Sequence, residues 1–193
     1  MSMLQWGLVP DWVKDTETAN AIRSKTLNAV GETVFEKPSF RKPILSQRGI
    51  LPVTGFYEWR DYNKFKYPYF IQPQGAHAFP LGVVFDSWIH PETAELLTSF
   101  SIITTPANPM MEMIHNTKKR MPLILAEDNL GAWLDPSTGI DNIKEMIQAY
   151  PEERMKAYTI SRRVNQMRQN HNDPSVFDAV SYPELNQQSL DLF

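Results

Sequence analysis

The chain of 193 residues contains no cysteine. That excludes disulfides, thiolate metal sites and a cysteine nucleophile within these residues. No apolar run reaches the roughly eighteen residues that a membrane-spanning helix needs. The opening "MSMLQWGLVPDW" has no basic stretch followed by an apolar one, so no secretory signal is read there. A cytoplasmic protein with no membrane partner is the expectation. Repeats, low-complexity tracts and linkers are also missing, so residues 1–193 are expected to form a single domain.

Net positive charge is lacking too. The formal charge is −3, which by itself argues against a nucleic-acid binder. The distribution argues the other way. Residues 23–66 carry nine Lys and Arg against four acids, whereas residues 67–117 carry no Lys or Arg at all. Lys118, Lys119 and Arg120 then arrive together. A surface this uneven can hold a polyanion despite an acidic average, although solvated surface lysines would give the same pattern.

What is present is an ordinary soluble composition, 42% hydrophobic and 21% charged. "GILPVTGFYEW" is apolar and rich in strand formers, and Pro52 and Gly55 mark an irregularity in it. "YPYFIQP", "FPLGVVFDSWI", "SFSIITTPA", "RMPLIL" and "MKAYTISRRVN" are further strands, several at hairpin spacing. "AIRSKTLNAVGETVFEKPSF" reads as an irregular start and then a helix of about two turns, ended by Pro38. "NPMMEMIH" should be a short helix with Asn108 as N-cap and Pro109 at its first position. "EDNLGAWL" and "GIDNIKEMIQAY" are helical, and the polar tail from Gln169 is irregular. The fold class is α+β, a mostly antiparallel β core with peripheral helices.

Four features invite chemistry. Glu58 sits between Tyr57 and Trp59, where burial would raise its pKa into the range of a general acid or base. Strand alternation that simply exposes it is the competing reading. His115 follows "PMMEMI" and precedes "NTKKR"; a histidine there is a catalyst or a helix-end group. Asn28 in "LNAVGET" is a site residue or turn chemistry. Trp6, Pro10 and Trp12 in "WGLVPDW" are core residues or a shelf for stacked bases. Glu112 and His115 have an i, i+3 spacing used by metal sites, but His77, His90 and His171 add no ligand pattern. No metal and no cofactor is expected.

The order of these pieces is more specific than any one of them. "WGLVPDW", "NAVGET", "GFYEW", "YPYFI", "SFSIITTPAN" and "IH…RMPLIL" together resemble the SOS response-associated peptidase family over Trp6 to Leu134, and "ISRRVN…NDP" also fits. The resemblance implies a barrel-like, mostly β fold with a channel and a basic face for single-stranded DNA. It implies an N-terminal cysteine whose amine and thiol close a thiazolidine on the aldehyde of an abasic site. Asn28, Glu58 and His115 fall on the family's catalytic positions. Glu58 would shuttle the proton in imine formation and Met removal, His115 would assist sugar-ring opening and reversal, and Asn28 would hold the N-terminal residue or sugar oxygens. Arg41, Lys42, Arg48 and Arg120 would contact phosphates.

Three departures accompany the resemblance. The family's "Met-Cys-Gly-Arg" opening and the residues before "WGLVP" are not in the chain. Val30 stands where the family has Arg, and extra residues separate His115 from Arg120. The expectation is a chain N-terminally incomplete relative to the family, inactive in crosslinking as given, and able to self-associate through an uncovered edge. A non-covalent single-stranded DNA-binding module and an unrelated hydrolase using Glu58 and His115 are the alternatives.

Overall fold

The computed structural model describes residues 4–165 and 173–186. His171 and part of the tail from Gln169 lie outside them. In chain order the elements are β1 (Gln5–Trp6), α1 (Thr16–Arg23), β2 (Asn28–Val30), α2 (Pro43–Ser46) and β3 (Arg48–Val53). They continue with β4 (Phe56–Tyr62), β5 (Phe65–Pro73), β6 (Phe79–Ile89), β7 (Leu96–Pro106) and α3 (Pro109–Ile114). Last come β8 (Arg120–Pro122), α4 (Leu130–Leu134), α5 (Ile140–Met146), β9 (Met155–Thr159) and α6 (Pro183–Asn186). The fold is α+β, as the sequence implies.

Two compact units divide the chain. The first comprises Met1–Val53, Pro80–Pro106 and Met121–Tyr150, and the second Thr54–Phe79, Ala107–Arg120 and Pro151–Phe193. The first holds a six-stranded sheet in the order β1-β7-β6-β3, with β2 and β8 also on β7. β6 and β7 form a long antiparallel hairpin pairing Val83 with Ile102 and Ile89 with Leu96. β1 and β2 add to β7 in parallel, within a sheet whose long hairpin is antiparallel. The core gathers Leu8, Ala29, Val34, Ile44, Val84, Ile103, Leu123, Trp133 and Ile143, all fully buried.

β7 inverts the usual alternation. Three of its four buried positions are polar, Ser99, Ser101 and Thr105, with Ile103 the fourth. The hydroxyls hold the N-terminal segment: Val9 N–H donates to Ser99 Oγ at 2.7 Å, and Ser101 donates to the Thr26 carbonyl. Buried polar groups tolerate this because each has a partner.

The second unit is a three-stranded antiparallel sheet, β4-β5-β9. "GILPVTGFYEW" is therefore not one strand. It breaks at Thr54 and Gly55, β3 joining the first sheet and β4 the second. A Cβ at Gly55 would meet Phe70 Cζ at 2.0 Å, so only glycine allows the ring to pack there. β4 and β5 turn at Asn63 and Lys64, both with positive φ, the backbone of a two-residue type I′ hairpin. Rings fill this unit: Phe70 packs edge-on against Phe177 with centroids 5.3 Å apart, and Arg162 lies over Tyr67 at 4.4 Å.

Other elements differ from expectation. No two-turn helix precedes Pro38; α1 comes earlier, and Gly31–Thr33 is only a 3-10 turn. The strong N-cap explains α1, since Asp15 accepts from Thr18 N–H at 2.7 Å. "RMPLIL" is a three-residue strand, and the tail holds a 3-10 turn at Pro174–Phe177 and α6.

Candidate functional site

Glu58 and His115 meet within the second unit. Glu58 lies mid-way along β4, opposite Tyr69 of β5. His115 is the residue that ends α3. Asn108 caps that helix through Met111 N–H at 2.9 Å, with Pro109 at its first position as the sequence implies. The His115 N–H makes the last helical bond, to the Met111 carbonyl at 2.7 Å, and the chain leaves the helix at His115 itself, whose ψ is 54°.

His115 Nδ1 is 2.9 Å from the Arg120 carbonyl and 3.4 Å from Glu58 Oε1. A carbonyl only accepts, so Nδ1 carries the proton, and the neutral ring keeps its lone pair on Nε2. The two side chains are 17% and 22% exposed. Burial pushes the Glu58 carboxyl above the usual range; His115, the Trp59 amide and Lys118 oppose that rise. Such a carboxyl exchanges protons closer to neutral pH than a solvated one.

The pair opens onto a cavity of about 340 Å³ lined by Trp59, Asp61, Lys66, Thr117, Lys118 and Asn165 as well. Trp59 Nε1 donates to Asn165 Oδ1 at 2.7 Å. Asn116 bonds twice to the Asp61 backbone: its Oδ1 accepts from Asp61 N–H at 3.1 Å, and its Nδ2 donates to the Asp61 carbonyl at 2.8 Å. Sequence reasoning missed Asn116 and Asp61. A turn-forming asparagine directly after His115 is the one signal that was available. Glu112 pairs with Lys119 at 3.4 Å, so the Glu112–His115 spacing reflects two separate pairings.

Asn28 belongs to the first unit. It is exposed at the start of β2, in register with Ile102. It lines a cavity of about 350 Å³ with Lys25, Thr33, Lys37 and Phe40. Trp6 and Trp12 are 49% and 50% exposed, and Trp6 Nε1 donates to the Leu27 carbonyl at 2.8 Å. Pro10 between them is buried, so the shelf reduces to the two indoles. Arg41 is exposed, and Lys42 pairs with Asp11. Arg120 is half-buried at the start of β8.

Arg48 is a correction to the phosphate-binding set. It is 5% exposed. Its guanidinium donates to the carbonyls of Trp133 (2.7 Å), Ile44 (2.8 Å), Leu45 (2.6 Å) and Asp135. A cation arranged this way holds α2 and α4 to β3 and offers nothing to a surface ligand. Charge counting cannot distinguish it from Arg41.

Comparison with known proteins adds to this geometry. The family model described as SOS response associated peptidase (SRAP) matches residues 1–167. The chain is 40% identical over 172 residues to the abasic site processing protein YoqW of Bacillus subtilis, covering 88% of this chain and 73% of that protein. It is 31% identical over 185 residues to the abasic site processing protein HMCES of Gallus gallus, covering 86% and 54%. Among solved structures, a protein from Bacteroides thetaiotaomicron superposes with a TM-score of 0.89 at 39% identity, covering 92% of this chain and 76% of that one.

Proposed function

Because the chain belongs to the SOS response associated peptidase family, we propose that it acts on abasic sites in single-stranded DNA, with Glu58 and His115 as the proton-transfer pair. The observation that carries this reading is the 3.4 Å approach of His115 Nδ1 to a half-buried Glu58 above a cavity that also contains Lys66 and Lys118. An abasic sugar must pass a proton to its ring oxygen to open. Its aldehyde carbon then takes an amine, and water leaves with a second proton. Both steps need a group that gives and takes protons near neutral pH, which supports the assignment of Glu58 and His115.

The covalent step in this family's manner adds a thiol to the imine carbon and closes a thiazolidine, the thiol proton passing to the imine nitrogen. The 193 residues hold no thiol, so this chain by itself stops at reversible binding or a slow imine from an amine. A second reading is a non-covalent single-stranded DNA-binding module, which the exposed Trp6 and Trp12 support. In both readings Trp6 and Trp12 stack bases, and Arg41, Lys42 and Arg120 meet phosphates. Asn28 is proposed to hydrogen-bond DNA from the cavity it lines. The exposed Leu4, Trp6, Leu27 and Val30 are assigned to stacked bases; a dimer seen by light scattering would reassign them to self-association.

The test is a denaturing gel of a single-stranded oligonucleotide with one abasic site. The chain as given forms no heat-stable adduct. The same chain preceded by a family-type segment beginning with cysteine forms one, and Glu58→Ala slows it. A heat-stable band from the chain as given, or none from the folded cysteine-bearing form, overturns the covalent reading.

A further inference from the structure

We propose that Asn116 is a positioning residue: its side-chain amide clamps the 116–119 turn to strand β4 and so sets the separation of Glu58 from His115. The consequence for catalysis rests on the function proposed above; the geometric claim does not.

β4 is an edge strand, paired with β5 on one side only. The Asp61 N–H and carbonyl receive the Asn116 amide. One side chain thus supplies the donor and acceptor that a neighbouring strand would supply. Asp61 lies three residues beyond Glu58, and Asn116 is bonded directly to His115, so the clamp links the backbones that carry the two reacting side chains.

The turn is fixed from its other end as well. Lys119 has φ 51°, a left-handed conformation uncommon for a lysine. Its N–H returns to the His115 carbonyl at 2.8 Å, and its carbonyl accepts from Ala107 N–H at 3.1 Å. The imidazole is thereby held against α3 and β8 by the turn's own bonds. Asn116 ties that turn to β4 by hydrogen bonds, beside the packing of α3 against the same strand. Without the clamp, β4 can move away and carry Glu58 off His115.

The titratable groups around the pair are Asp61 and Tyr69 on the strands, Lys66 on β5 and Lys118 on the turn. Asn116→Ala alters none of these charges. A change in Glu58 titration therefore reports a change in its burial or in its distance from His115, the two quantities that the position of β4 sets.

The experiment is a carbon-detected NMR titration of the Glu58 carboxyl in wild type, Asn116→Ala and Asn116→Ser, with thermal unfolding in parallel. Losing the clamp draws Glu58 away from His115, whose interaction favours the carboxylate, so the Glu58 midpoint should rise in Asn116→Ala. Asn116→Ser, which keeps one of the two bonds, should fall between. In the cysteine-bearing form, Asn116→Ala should lower the adduct rate about tenfold or more, with DNA affinity within about twofold. An unchanged midpoint in both folded variants overturns the proposal. Glu58→Gln separates the two claims: full activity in that variant refutes the functional reading, whereas loss there with a wild-type rate and midpoint in Asn116→Ala refutes the clamp.

Discussion

At the scale of single residues, Glu58 and Arg48 show burial working in opposite directions. Burial raises the Glu58 pKa in the folded chain, so the folded state binds this proton more tightly than the unfolded one. The stabilisation is fully present below the unfolded value and disappears as pH rises through the folded value. Glu58→Gln should therefore unfold at a higher temperature than wild type at neutral pH, and the difference should vanish in acid, as scanning calorimetry across pH would show. Arg48 is the reverse case, a buried cation satisfied by four carbonyls. Arg48→Ala leaves those acceptors without their donor and should cost about 3 kcal/mol in denaturant unfolding. Glu58 was legible in the sequence because a carboxylate between aromatics is rare. Arg48 was not, because a charge count records sign and position but not which atoms satisfy the group.

At the scale of elements, apolar runs bounded by turn residues could be read from the sequence as strands, and the long β6–β7 hairpin comes from two of them. α3 was legible down to its Asn108 cap, since Asn-Pro before an apolar stripe has few other solutions. The break between β3 and β4 was seen only as an irregularity. What makes it a change of sheet is the close approach of Phe70 to Gly55, a contact between residues fifteen positions apart. α1 escaped notice because its stability lies in the Asp15 cap rather than in a long apolar face. The Asn63–Lys64 turn yields a prediction at this scale. A type I′ turn requires positive φ at both central residues, which glycine adopts without the penalty a lysine meets. Lys64→Gly should stabilise the protein by roughly 0.5–1 kcal/mol, raising the melting temperature by about 1–4 °C.

For the whole molecule, the acidic average hides a basic stretch, and salt dependence is the observable that reveals it. Each phosphate contact on a single strand contributes roughly 0.7 to the slope of log affinity against log salt. Arg41→Glu should reduce that slope by about 0.7 and weaken binding to every sequence alike, measured by fluorescence anisotropy over a salt series. An unchanged slope would place the DNA contacts elsewhere. The chain also crosses between its two compact units five times, after residues 53, 79, 106, 120 and 150. Glu58, His115 and β9 all belong to the second unit, yet they come from three separate segments. A genetic crossover anywhere between codons 53 and 151 therefore divides at least one unit. Neither unit can be inherited, shuffled or expressed as a single exon-like block, and the two must pass through evolution together.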